Sequence, residues 1–143
     1  MRQSAWLNTR PKKADGDKSD KSDPEPTRRE QLAKEGIAQP AMPPCQAEYL
    51  LGYLFEIGPA ATAGMGEVPI THSEIRAWML NTGIRLSPWE ARTLRKLSQD
   101  YVNESHKATQ RNCPAPWTAD GAALDRLLIS SNTKDAIRNL SKL

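Results

Sequence analysis

Apolar positions recur at helical spacing in three stretches of this chain. The run CQAEYLLGYLFEIG carries Tyr49, Leu50, Leu51, Tyr53, Leu54, Phe55 and Ile57, while Glu48, Gly52 and Glu56 form one narrow polar stripe. At about 100° per residue the apolar set covers roughly 240° of the helical wheel, against roughly 100° for an ordinary surface helix. The helix predicted over residues 46–57 is therefore buried on more than one side. Either it is a central core helix with neighbours on both flanks, or one flank stays open for a partner.

The second and third stretches lie back to back in THSEIRAWMLNTGIRLSPWEARTLRKLSQDY, residues 71–101. Ile75, Trp78 and Met79 line one helix, and Leu94, Leu97 and Tyr101 line the next. Each start is spelled out. Thr71 with Glu74 and Ser87 with Glu90 are capping boxes, in which a hydroxyl accepts from a free backbone N–H and the carboxylate accepts from the cap residue. Pro88 stands at the first helical position, where its missing donor costs nothing, and Gly83 can take φ > 0 to end the first helix, followed by Ile84. The pair reads as an αα-hairpin whose stripes face each other and the 46–57 helix.

The remainder is weaker. Residues 1–26 hold few large apolar side chains and read as a disordered arm. Thr27 and Glu30 form another capping box before QLAKEG, predicting a short helix closed at Gly36, and prolines follow to residue 44. GPAATAGMGEVPI reads as a flexible connector with an extended end at residues 68–70, since its glycines lack the Gly-Lys-Ser/Thr of a phosphate loop. After Asn103 the pattern fades through ESHKATQRNCPAPW; Leu124, Leu127 and Leu128, then Ile137 and Leu140, offer one or two further short helices. The expected organisation is all-α: arm 1–26, short helix and linker 27–43, helical core 44–104, and weakly helical tail 105–143.

Composition narrows the function. The 143 residues carry a net charge of +3 with the signs mixed; residues 1–40 hold nine basic and seven acidic side chains. That is no polybasic tail, so neither nucleic acid nor membrane is indicated. No apolar run reaches the ~20 residues of a membrane span, and the N-terminus lacks the apolar core of a secretory signal. Cys45 and Cys113 are isolated, which fits two free thiols in a reducing cytoplasm. Together with His72 and His106 they lack zinc-site spacing, and no nucleophile elbow or paired-carboxylate arrangement is present. A non-catalytic protein without cofactor or metal is expected.

Four residues keep alternatives open. Trp89, off the second stripe, either covers the loop at residues 64–70 or stands as a contact for another protein. Arg92, Arg95 and Lys96 read as a charged solvated face, or as the reading face of a small helix-turn-helix regulator. Met79 at the tight crossing and the long link from Gly83 to Ser87 argue against the regulator.

The stretch from about residue 29 to 101 resembles the phage tail assembly chaperones, small proteins of tail-morphogenesis clusters. The resemblance is carried by Pro43-Pro44, Tyr49 to Glu56, Gly64-Met65-Gly66, Ile70-Thr71, Glu74-Ile75, Ala77-Trp78, Thr82 to Arg85, Ser87-Pro88-Trp89-Glu90 and Leu94 to Tyr101. Tyr49, Tyr53 and Phe55 stand where tryptophan is frequent, and nothing matches the first twenty-odd residues or those after 112. The resemblance implies a helper in the host cytoplasm that keeps the tape-measure protein soluble, assists tail-tube subunits, and then leaves. Its expected partner surface is Tyr49, Tyr53, Leu54, Phe55 and Trp89, with self-association as a further way to cover it. The alternative within the same setting is a minor tail protein kept in the virion.

Overall fold

The computed structural model describes residues 1–12, 25–38, 40–64 and 66–118. Helices α1 (Arg2–Asn8), α2 (Arg28–Lys34) and α3 (Glu48–Ile57) are followed by strands β1 (Ala61–Ala63) and β2 (Gly66–Val68), then helices α4 (His72–Thr82) and α5 (Pro88–Ala108). The described residues are mostly helical, with a small antiparallel hairpin that an all-α reading omits. Ala61 pairs with Val68, Thr62 with Glu67 and Ala63 with Gly66. Its small, weakly alternating residues carry almost no strand signal, so the segment reads as a connector in sequence.

All three predicted capping boxes form, at Thr27–Glu30, Thr71–Glu74 and Ser87–Glu90. Each carboxylate is held below the ordinary glutamate range, chiefly because it accepts from the backbone N–H of its cap residue. Gly83 closes α4 in the left-handed region at φ 72°, and Gly36 follows α2 at φ 66°.

The 21-residue α5 is the spine of the molecule. On its N-terminal half sits the main core, where Leu50 and Leu54 of α3 meet Ile70, Ile75 and Leu94, with Tyr53, Met79, Leu86 and Leu97 packed around them. Trp78 and Tyr101 are also buried. Ile75 and Met79 of α4 and Leu94 and Leu97 of α5, four of the six residues expected in the facing stripes, thus share one core with α3. α5 runs on to Ala108 and its last turns carry a second set of buried side chains, while Met1, just ahead of the first helix, packs against the main core.

That second set corrects the expected boundaries at residues 26 and 104. α1 lies along the C-terminal half of α5, with Ala5 and Leu7 fully buried. Arg2 pairs with Glu104 at 2.9 Å, and the Lys12 N–H donates to Thr109 O at 2.8 Å. Arg28 of α2 is only 5 % exposed. Its guanidinium donates to Ala108 O and, at 2.7 Å, to Gln110 O, and it stacks 4.9 Å from the centroid of the Trp6 ring. Trp6 in turn donates its indole N–H to Cys113 O at 2.9 Å. A cation over the last carbonyls of a long helix is favourable in itself. Residues 1–12 are therefore part of the body, and so are residues 105–113. A few apolar side chains suffice because they land on a surface that α5 already provides. The short helices expected beyond residue 118 lie outside the described residues.

Candidate protein-binding surface

α3 contains no polar side chain on its inner faces, so its packing separates buried from open positions by geometry alone. Leu50 and Leu54, one turn apart, enter the core, and Tyr53 leans against Trp78 with ring centroids 5.0 Å apart. Glu48, Tyr49, Gly52, Phe55 and Glu56 stay exposed, the i, i+1, i+4, i+7, i+8 set that makes one helix face. The helix is therefore not enclosed on both flanks: one face is exposed.

Tyr49 is 48 % exposed and Phe55 46 %, while Trp89 at the start of α5 is 56 % exposed. Tyr49 reaches α5 through its hydroxyl, which donates to Glu90 Oε1 at 3.0 Å. That bond raises the tyrosine's proton affinity above its usual value and adds to the lowering at Glu90. Tyr49 also stands edge-on to Tyr53 at 5.7 Å, so an aromatic row runs from the open face inward to Trp78.

Leu54 does not belong to the surface assigned to it; it is fully buried on the inward stripe one turn after Leu50. Tyr53 contributes only a half-buried edge. Trp89, the other residue of that surface, keeps more than half of its side chain in solvent. The glycine loop is fastened farther along α5, where Ile70 N–H donates to Ser98 Oγ at 2.9 Å and Ser98 Oγ donates to Pro59 O at 2.7 Å. Arg95 adds a bond to Ile70 O at 3.0 Å. Of the three cations proposed as a solvated face, Arg92 and Lys96 are exposed, but Arg95 is half-buried and engaged. A duplex-reading helix would have to spend that same residue elsewhere.

Sequence reasoning passed over Ser98 and Arg28. A serine inside a helix and an arginine after a cap both read as solvent-facing, and only tertiary placement shows them buried.

His72 and His106 are exposed, Cys45 is an exposed free thiol, and Cys113 is a half-buried one. Among the described residues no three His, Cys, Asp or Glu side chains gather as metal ligands. No described helix is long and apolar enough to cross a membrane. Comparison with family models, with curated proteins and with solved structures finds no match to this chain.

Proposed function

We propose that this protein is a non-catalytic binding protein and, following the resemblance of residues 29–101, a phage tail assembly chaperone for the tape-measure and tail-tube proteins. One observation carries the reading: Tyr49, Phe55 and Trp89, three of the chain's eight aromatic side chains, stand roughly half-exposed on the helical body. Solvent-facing aromatics of that size are the residues that dominate protein interfaces. The motifs behind the resemblance also have structural work in this chain, since Thr71, Gly83, Ser87 and Pro88 set the ends of the two helices that support α3.

The test is co-expression of the full chain with the tape-measure and tail-tube proteins of the same phage. The chaperone reading expects co-purification, weakened at least about thirtyfold by Phe55→Asp together with Trp89→Asp, the scale of losing an interface hot spot. Retention at full strength by the double variant would overturn it. Mass spectrometry of purified particles separates a chaperone, absent from the virion, from a minor tail protein retained in it.

A further inference from the structure

The open face of α3 has a pattern of its own. In Glu48-Tyr49-x-x-Gly52-x-x-Phe55-Glu56 the exposed residues are arranged symmetrically about Gly52. From helical geometry, the glutamates lie roughly 40° to either side of Gly52 and about 12 Å apart along the axis, with the aromatics just outside them. A Cβ built on Gly52 would meet nothing within 4 Å, so the glycine answers no packing need within this chain. Yet an exposed mid-helix glycine costs about 1 kcal/mol relative to alanine. α3 carries no cation at all.

Resting on the reading of this face as the partner surface, we propose that its occupant is a basic amphipathic helix. That helix crosses α3 at Gly52 and sets two Lys or Arg side chains, about two turns apart, against Glu48 and Glu56. The missing side chain at residue 52 lets the partner's backbone approach closely between Tyr49 and Phe55, which close over its apolar side. Charge selects the occupant. A second copy of this chain would bring four carboxylates into one small interface with no α3 cation to compensate, and an acidic helix would add to the same repulsion. A basic helix neutralises both carboxylates in one registry.

The experiment uses the full chain and two synthetic helical peptides of about 18 residues. They share one apolar face and differ only in carrying either two lysines or two glutamates two turns apart. The lysine peptide is expected to bind at least about tenfold tighter, with backbone NMR shifts confined to residues 48–56 and 89. Glu48→Lys with Glu56→Lys should invert the preference. Gly52→Leu should weaken the lysine peptide about tenfold while leaving the circular dichroism spectrum of the chain intact. Equal binding of the two peptides, shifts centred elsewhere, no binding, or a dimer in sedimentation that the double lysine variant abolishes would each overturn the proposal. If the tape-measure protein co-purifies but the peptides are not discriminated, the cationic-helix inference fails alone. If the lysine peptide is selected but no tail protein co-purifies, the tail-assembly reading fails alone.

Discussion

Replacing Arg28 by Met keeps a flexible stem of similar length over the Trp6 ring and removes the guanidinium. Ala108 O and Gln110 O then lose their donors at the end of α5. Hydrogen bonds to a charged group contribute about 1.5–3 kcal/mol each. Part of that is returned, because the guanidinium no longer has to be buried; the same burial lowers its proton affinity in the native chain. A net loss of about 2–4 kcal/mol follows. It should be local, since a seven-residue α1 has no stability of its own and depends on its contacts with α5. By hydrogen–deuterium exchange, residues 2–12 and 104–113 should exchange at least about thirtyfold faster at the lower bound of that range. Residues 50–57 and 70–79, in the other cluster, should change little. Arg28→Lys should fall between, keeping the charge but not the forked donor geometry. Unchanged protection at residues 104–113 would show that α5 ends without this clamp. A uniform rise across both clusters would refute the division of the molecule into two packing centres along α5.

Three other consequences are measurable. Ser98→Ala strands the buried Ile70 N–H and the Pro59 carbonyl, and should cost about 2–3 kcal/mol by denaturant unfolding; a loss below about 0.5 kcal/mol would show that the loop needs no such pin. Gln3 is buried with neither carboxamide atom hydrogen-bonded, so Gln3→Met should raise stability by about 1–2 kcal/mol, read as a higher denaturation midpoint. The capping glutamates Glu30, Glu74 and Glu90 all have lowered folded values, so their contribution is complete above the ordinary glutamate value of 4.5 and is lost as pH falls through the folded values. Glu74→Gln with Glu90→Gln should flatten the acid limb of the stability profile below that point, and an unchanged limb would contradict the assignment.

The parts that were legible beforehand are local. A capping box spans four consecutive residues and a C-terminal glycine needs only its own φ, so Thr71, Gly83 and Ser87 announce themselves without any tertiary information. The apolar arc of α3 was equally plain, but an arc of that width does not say which part faces out. That depends on where α4 and α5 lie, and it moved Leu54 inward while leaving Phe55 outside. α1 was hidden for a different reason. Averaged composition discounts Ala5, Trp6 and Leu7 because charged neighbours surround them, whereas packing needs only the one face that meets α5. The hairpin at residues 61–68 was hidden because backbone pairing, and not side-chain pattern, defines it.

The open face of α3 is the proposed meeting point of this protein with its partner. Hydrogen–deuterium exchange on the complex co-purified with the tape-measure protein tests it most directly. Protection gained on binding should concentrate in residues 48–56 and at the first turn of α5 around Trp89, with residues 2–12 and 104–113 unchanged. Protection gained along Arg92, Lys96 and the outer side of α5, with none on α3, would contradict it.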